Sequence, residues 1–181
     1  MPYTFPVVPI DFADMAPDGI VDAVCPGLPP AAAQVIFRGT LVQITAGTVE
    51  SLVNADNTNL ALAFEDSPDP YHRAAGVDMP TAKPRVSFHL LRNRNIIIST
   101  LGGAWAANRV GVSYGVKKNA AGLSYIDFAD TTNLAVKVLG LFQETGVRGF
   151  DGTKYDFVQP AIGDTGVRVI ARVLDAACYV Q

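Results

Sequence analysis

The sequence predicts an all-β protein, a compact β-barrel or sandwich-like domain of short antiparallel strands with an extended proline-rich N-terminal arm. About nine or ten short segments rich in β-branched residues recur roughly every 8–12 residues, with turn residues between them. Windows of helical periodicity are scarce. Seven of the twelve prolines fall within the first thirty residues. We therefore expect an arm at residues 1–33 and a single β-rich domain at residues 34–181.

Composition favours a folded protein that associates with itself. Hydrophobic residues make up 49% and charged residues 17% of the 181 residues, whereas the usual charged share is about 25%. So few charges predict that other subunits cover part of the apolar surface, and the alternative is a monomer with many exposed Ala and Thr residues. A net charge of −3 disfavours nucleic acid and anionic membranes as partners.

The chain also shows no signal for a membrane. No apolar run approaches the roughly 20 residues that a membrane-spanning helix needs. The first fifteen residues, MPYTFPVVPIDFADM, lack the basic leader and the apolar core of a signal peptide. We therefore expect synthesis and folding in a cytoplasm.

Proline restricts the conformation of the arm. It removes a backbone donor and disfavours helical geometry in the residue before it, so the arm can be neither a regular helix nor a central strand. The apolar side chains of the arm need a dry surface, which is either the protein's own domain or a neighbouring molecule. The interface candidates are five arm residues and the tryptophan of a later loop: Tyr3, Phe5, Val8, Ile10, Phe12 and Trp105.

Strand signals follow one another from residue 34 onward. Strands are predicted at residues 34–44, 48–53, 59–64, 85–91, 96–100, 110–116, 123–128, 134–142, 154–158 and 167–174. Ala46-Gly47 predicts a tight turn, and residues 65–84 form a long loop that contains proline. Residues 167–179 fit either a helical or a strand period, and Val and Ile in the first half favour strand.

The segment GVSYGVKKNAAGLSYID, residues 111–127, has the composition of a phosphate-binding loop. However, only three residues separate Gly111 from Gly115, and Val-Lys follows where a P-loop needs Gly-Lys-Ser/Thr. The residues that follow alternate like a strand, so no helix N-terminus is available for a phosphate. A β-hairpin is predicted instead, with Gly111 and Gly115 at close approaches or bulges. Lys117 and Lys118 are then expected to be solvated charges at the hairpin tip.

Other chemical groupings are incomplete. His72 lies in a loop near Asp66 and Ser67, but the chain has no GxSxG elbow, so an exposed polar loop is favoured over a hydrolase triad. His89 is expected to be a partly buried or surface residue of a strand. Residues 151–156 lack the alternating acidic positions of a calcium loop and predict a turn. We therefore assign no catalytic, cofactor-binding or metal-binding residues.

Two further groups of residues leave alternatives open. Cys25 and Cys178 have no CxxC spacing, which disfavours zinc; two free thiols are expected, and a disulfide between them is the alternative. Four basic residues near the middle of the chain predict a solvated rim or a salt-sensitive contact with an acidic partner. They are Lys83, Arg85, Arg92 and Arg94.

Two runs of short apolar strands resemble small capsid decoration proteins of tailed bacteriophages, also called cement or head-stabilising proteins. The first run comprises FRGTLV (37–42), a short turn, Thr48-Val49 and LALAFED (60–66). The second comprises VGVSYGV (110–116), LSYI (123–126) and VKVLGLF (136–142). The resemblance covers residues 35–142, whereas the loop at 65–84 and the C-terminal strand depart from it.

The resemblance implies a structural protein rather than an enzyme. Members of this group bind the outer capsid surface, often as trimers, and stiffen the shell. The expected partners are therefore the major capsid protein and two further copies of this chain, without cofactor or small-molecule substrate, on the capsid exterior of a virion. The alternatives are a carbohydrate- or ligand-binding β-sandwich with Trp105, Tyr71 and Tyr114 as an aromatic platform, and a hydrolase that uses His72.

Overall fold

The computed structural model describes residues 8–9, 24–28, 36–54, 56–64, 86–92, 94–142, 149–150, 155–156 and 162–179. For residues 8–9, 24–28, 149–150 and 155–156 it describes the backbone only. Two single-turn 3-10 helices, Ala107–Arg109 and Asp175–Ala177, lie among the described residues, and all the remaining regular structure there is strand. The protein is therefore mainly β, as the sequence predicts.

The strands of the described residues are β1 (Val8–Pro9), β2 (Val24–Leu28), β3 (Leu41–Thr45), β4 (Thr48–Ser51), β5 (Leu60–Ala63), β6 (Val86–Leu90), β7 (Asn95–Ser99), β8 (Ser113–Lys118), β9 (Ser124–Asp127), β10 (Val136–Leu141), β11 (Gly149–Phe150), β12 (Tyr155–Asp156) and β13 (Arg168–Val173). Strands β11 and β12 pair only with each other within the described part of the chain.

Five strands close into a barrel in the order β7-β13-β10-β8-β9. Neighbouring strands are antiparallel, except that β9 returns to β7 through one parallel pair, Ser99 and Tyr125. Strand β10 shows the alternation that this closure requires, because Val136 and Val138 are buried while Lys137 and Leu139 are exposed. Strand β7 is buried from Ile96 to Ser99, consistent with its uninterrupted apolar run.

The second unit is a curled five-stranded sheet in the order β2-β6-β5-β3-β4. Strands β3 and β4 form the tight hairpin predicted at Ala46-Gly47, whose φ angles of 48° and 78° give both central residues the positive φ of a type I′ turn. All residues of β5 are buried, so both faces of the sheet are covered.

The apolar core joins the two units. One cluster combines barrel residues such as Ile98, Ile126 and Val138 with Leu60 and Leu62 from the sheet. A second cluster lies on the other face of the sheet; it comprises Ile36, Val42, Ile44, Val49, Ala61, Ala63, Val86 and Phe88. The barrel and one face of the sheet therefore share a continuous apolar interior.

Polar side chains also connect the sheet to the barrel. The backbone N–H of Val116 donates to Asn57 Oδ1 at 3.2 Å, and that of Lys118 donates to Asn54 Oδ1 at 2.8 Å. Two such N–H groups, two residues apart, point to the same side of β8. Asn54 and Asn57, in the connection between β4 and β5, thus accept hydrogen bonds from the part of β8 that β10 does not pair with.

Parts of the arm lie on this domain as edge strands. Strand β1 pairs with Ile96 and Ile97 of β7, and β2 is the outer strand beside β6. Pro26 falls where the register between β2 and β6 shifts, a position that needs no ladder donor. The arm therefore uses β-pairing where proline permits it, at edges and irregularities.

Three predicted elements differ from the structure. Residues 34–44 do not form one strand, because the chain turns between Phe37 and Thr40. In this turn the Thr40 N–H donates to the Phe37 carbonyl. The strand predicted at 110–116 begins only at Ser113, after a turn. Residues 167–179 resolve into β13 followed by a 3-10 turn at Asp175–Ala177.

The segment 111–127 forms the predicted hairpin of β8 and β9, with one detail corrected. Gly115 is a close approach, since a Cβ there would lie 2.5 Å from Asp130 Oδ2, but a Cβ at Gly111 would meet nothing within 4 Å. The two lysines are not simply solvated: Lys117 forms an ion pair with Asp127, and Lys118 Nζ donates to Ser51 Oγ at 2.8 Å. Both charges are therefore held against the fold.

Candidate functional site

The predicted interface residues are placed as follows. Tyr3, Phe5, Ile10 and Phe12 lie outside the described residues, and Val8 is described only through its backbone in β1. Trp105 is 4% exposed and belongs to the core cluster of the barrel. Its indole therefore supports the fold and leaves little area for a partner to contact.

Two of the three residues of the aromatic platform expected for a ligand-binding module are buried. Tyr114 is 5% exposed and packs edge to face on Phe128, so neither it nor Trp105 offers a ring face to a sugar. Tyr71 lies outside the described residues, as do His72, Asp66 and Ser67. Of the basic group, Lys83 and Arg85 also lie outside.

An exposed apolar surface occurs where the barrel wall is irregular. Val110 is 47% exposed, Val112 40% and Leu139 41%, and these three residues constitute what we call the bulge patch. Their backbone segments are adjacent, because the Gly111 N–H donates to the Val138 carbonyl at 2.8 Å and the Val138 N–H donates to the Val112 carbonyl at 3.0 Å. Single exposed apolar residues are ordinary, whereas three of them on adjacent, ordered backbone segments make this part of the wall a candidate contact surface.

A turn and a bulge together present Val110 and Val112. Val110 has φ −63° and ψ 132°, Gly111 has φ 82°, and the Val112 N–H donates to the Arg109 carbonyl at 3.2 Å. These values define a type II turn, which requires positive φ at its third residue and so favours glycine there. The same glycine begins a G1 bulge opposite Val138. Gly111 is therefore needed for its positive φ and not for lack of space, because a Cβ there would meet nothing within 4 Å.

Leu139 faces outward by the alternation of β10 and lies at a second bulge, on the other side of that strand. Val138 pairs with Ala171 and Gly140 with Ile170, so Leu139 is an extra residue opposite β13. Bulges redirect side chains and are frequent beside functional sites. Irregularities thus lie on both sides of Val138, next to three partly exposed apolar residues.

Arg109 fixes the turn of the bulge patch to the barrel. Its guanidinium carbon lies 4.2 Å from the centroid of the Phe128 ring, and its Nε donates to the Ala104 carbonyl at 3.3 Å. A cation over an aromatic face contributes about 0.5–2 kcal/mol. The turn that carries Val110 is therefore positioned before any partner arrives.

Positive charge borders the bulge patch. Lys137 and Arg172 are exposed and directly opposite each other on β10 and β13, and Leu139 follows Lys137 by two residues. Like charges facing each other across strands are unfavourable. The Arg172 side chain also reaches the neighbouring strand, where its Nε donates to Asn95 Oδ1 at 3.4 Å. An acidic partner would neutralise this pair.

The turn after β9 contains two carboxylates, which have structural partners. Asp130 Oδ1 accepts hydrogen bonds from the backbone N–H groups of Thr132 and Asn133 at 3.1 and 3.0 Å. These bonds, led by that of Asn133, lower the pKa of Asp130 despite its burial. The hydrogen bond with Asp127 correspondingly raises the pKa of Lys117. Both carboxylates therefore act as turn and ion-pair residues.

His89 and Cys178 occupy structural positions. His89 is a half-buried residue of β6, as predicted, with its ring 5.0 Å from that of Phe64; burial, followed by Arg94 and Arg38, lowers its pKa. Cys178 is a buried free thiol, so no disulfide joins it to Cys25. Burial raises the pKa of Cys178 to about 11, which keeps the thiol protonated and a weak nucleophile at neutral pH.

Within the described ranges, no three His, Cys, Asp or Glu side chains are grouped as metal ligands. Among those same residues, no helix has the length and apolar character to cross a membrane. Comparison with family models, with curated proteins and with solved structures gave no match.

The bulge patch is the surface that sequence reasoning missed. The strand predicted at 110–116 includes Val110 and Val112 and the strand predicted at 134–142 includes Leu139, and an exposed bulge leaves no periodic signal in the sequence. The Arg-Val-Gly-Val order does fit a type II turn, because glycine is favoured at the third position. The patch can bind an apolar surface with an acidic border.

Proposed function

We propose that this protein binds the outer surface of a bacteriophage capsid as a homotrimer and stabilises the shell, so that it resides on the exterior of the virion. The bulge patch carries the proposal, since it offers apolar contact area on backbone that is already ordered. The resemblance of residues 35–142 to decoration proteins supports the class of partner. The low charged share of 17% supports self-association.

The energy available from the bulge patch suits a repeated contact. Completing the burial of a half-exposed Val or Leu contributes about 1 kcal/mol, so three residues contribute about 3 kcal/mol per copy. One such contact is weak, but three copies in a trimer engage together and raise the overall affinity. Because Arg109 and the type II turn fix the backbone, little ordering entropy opposes binding.

The bordering charges specify the chemistry of the partner surface. Lys137 and Arg172 favour an apolar capsid surface bordered by Asp or Glu. Such a contact weakens as salt screens the exposed charges. In this proposal the bulge patch contacts the capsid, and other surfaces form the contacts within the trimer.

Co-sedimentation with shells assembled from the major capsid protein of the same virus tests this function. We expect stoichiometric binding by the unaltered protein. Val112→Asp and Leu139→Asp should each weaken it about tenfold or more, because each removes apolar contact area and places a carboxylate against an acidic partner surface. Val53→Asp is the matched control, since Val53 is 48% exposed and lies away from the bulge patch, in the connection between β4 and β5. Light scattering should give the mass of three chains.

Two results would contradict the proposal. Shells that never retain the unaltered protein would remove the capsid as partner. Equal binding by Leu139→Asp and Val53→Asp would remove the bulge patch as the contact. Circular dichroism of each variant, compared with the unaltered protein, verifies that lost binding is not lost folding.

A further inference from the structure

One buried donor in the connection between β4 and β5 has no protein partner. Asn57 is 5% exposed, and its Oδ1 accepts a hydrogen bond from the Val116 N–H at 3.2 Å. Its Nδ2 is buried and, within the described part of the chain, donates to no other group. Buried polar atoms are almost always hydrogen-bonded, either to protein or to ordered water. The unused donor of Asn57 therefore indicates a bound molecule.

The neighbouring asparagine makes a more complete contact with β8. Asn54 Oδ1 accepts from the Lys118 N–H at 2.8 Å, and Asn54 Nδ2 donates to the Lys118 carbonyl at 3.5 Å. One side-chain amide thus bonds both backbone groups of Lys118, as a paired strand would. Asn57 makes only the first of these two bonds, with Val116.

An acceptor for the second bond lies on the same side of β8. The N–H and the carbonyl of a strand residue point in the same direction within the sheet. Because the Val116 N–H points to Asn57, the Val116 carbonyl also faces the connection between β4 and β5. Val116 is fully buried. A buried donor and a buried acceptor therefore face the same space without a direct bond between them.

The other buried amide of this region is already engaged. Gln43 is 4% exposed. Its Nε2 donates to the Thr58 carbonyl at 3.2 Å, and its Oε1 accepts from the Val53 N–H at 2.7 Å. Gln43 is thus held in bonds within its own unit, and its amide oxygen is not bonded to Asn57 Nδ2.

The two groups determine the chemistry of the ligand. It must accept a hydrogen bond from a neutral amide and donate one to a carbonyl. The hydrogens of the amide repel a cation, and the carbonyl oxygen repels an anion. A water molecule does both and is small enough for a buried position.

We propose that Asn57 and Val116 bind one buried water molecule between β8 and the connection between β4 and β5. Asn57 Nδ2 donates to the water oxygen, and the water donates one of its hydrogens to the Val116 carbonyl. Val116 thereby receives the second bond that Lys118 receives directly from Asn54. The site joins the curled sheet to the barrel, and it is independent of the bulge patch and of the capsid.

A crystal structure that shows ordered water tests the proposal. We expect an oxygen peak about 2.7–3.2 Å from Asn57 Nδ2 and about 2.5–3.0 Å from the Val116 carbonyl oxygen, the usual ranges for such bonds. In solution, magnetisation transfer from water to the Val116 N–H should have the sign of a long-lived bound water. The exposed amide of Asn54 is the internal control and should report only rapidly exchanging surface water.

Two variants assign the water to Asn57. Asn57→Leu keeps the size of the side chain but removes the donor, so the water signal at the Val116 N–H should be lost. Asn54→Leu makes the same chemical change at an exposed position and should keep that signal. Unchanged amide chemical shifts of β13 (Arg168–Val173) in both variants verify that the barrel is intact.

Either of two results would overturn the inference. A crystal structure in which Asn57 Nδ2 donates directly to a protein oxygen would show that no water is needed. A water signal at Val116 that is absent from the unaltered protein, or equally strong in Asn57→Leu, would show that Asn57 holds no water there. The crystal structure of the unaltered protein decides the question even where Asn57→Leu does not fold.

Discussion

At the scale of single residues, the close contact between Gly115 and Asp130 fixes how β8 meets the turn after β9. The Gly115 N–H donates to the Asp130 carbonyl at 2.9 Å, and a Cβ at this position would lie 2.5 Å from Asp130 Oδ2 and 3.0 Å from the Asn133 carbonyl oxygen. Asp130 cannot move aside freely, because Thr132 and Asn133 hold its carboxylate. The absence of a side chain at Gly115 is therefore required by packing.

Gly115→Ala should lower the free energy of unfolding by about 1–3 kcal/mol, the usual cost of overpacking. Gly140→Ala is the control, since Gly140 also lies in a strand and a Cβ there would meet nothing within 4 Å. Urea denaturation of both variants measures the difference. Equal free energies of unfolding for the two variants would mean that the turn at Asp130 can shift to accommodate a Cβ at Gly115 without a measurable loss of stability.

The same residue scale shows where sequence reasoning ends. The alternation of LSYI and the glycines around it predicted the hairpin correctly. The partners of Lys117 depend on register: pairing of Gly115 with Asp127 brings the carboxylate beside the lysine two residues further on. Register follows from the turn that forms, which composition alone does not specify.

At the scale of elements, side chains accept hydrogen bonds from the backbone N–H groups of β8 that β10 does not pair with. Only Ser113 and Tyr114 of β8 pair with β10. Further along, Asn57 and Asn54 accept from Val116 and Lys118. The two asparagines differ in environment, since Asn57 is buried and Asn54 is exposed. Water can replace the exposed acceptor but not the buried one.

Asn57→Ala should therefore lower the free energy of unfolding by about 1–3 kcal/mol, because it leaves the buried Val116 N–H without an acceptor. Asn54→Ala makes the same chemical change at an exposed position and should cost within about 0.5 kcal/mol. Thermal or urea unfolding distinguishes them. A larger loss for Asn54→Ala would refute the argument from burial.

Element existence was predictable, whereas element pairing was not. Apolar runs such as residues 96–100 indicated strands close to the observed bounds, because periodicity is a local property. The insertion of β13 between β7 and β10 depends on contacts far apart in the chain. The turn at Phe37–Thr40 was missed because a single glycine interrupts an otherwise continuous strand signal.

At the scale of the whole molecule, the shared core predicts that barrel and sheet unfold together. Trp105 lies in the barrel cluster and reports on it by fluorescence, whereas Ile44 is 2% exposed in the second cluster, on the far face of the sheet. Leu60 and Leu62 of the sheet contact the barrel interior. A substitution that destabilises the packing of Ile44 should therefore also lower the midpoint of unfolding that Trp105 fluorescence reports.

Ile44→Val should cost about 0.5–1.5 kcal/mol, which lowers the midpoint of thermal unfolding by about 2–4 °C for each kcal/mol. Trp105 fluorescence and far-UV circular dichroism should report the same shift. Ile162→Val is the control, because Ile162 is 75% exposed and should leave the midpoint unchanged. Two separate midpoints in Ile44→Val would contradict the single domain expected at residues 34–181.

The position of β13 also determines when the barrel can form during synthesis. Its partner β7 precedes it by 69 residues, from Ser99 to Arg168. At about 5–20 residues per second, a ribosome needs about 3–14 s to cover that distance. Until residue 173 has left the ribosome, β7 and β10 each present an open edge to other nascent chains. Barrel closure therefore has to wait for β13, and the edges of β7 and β10 that β13 covers are open in the interval before it.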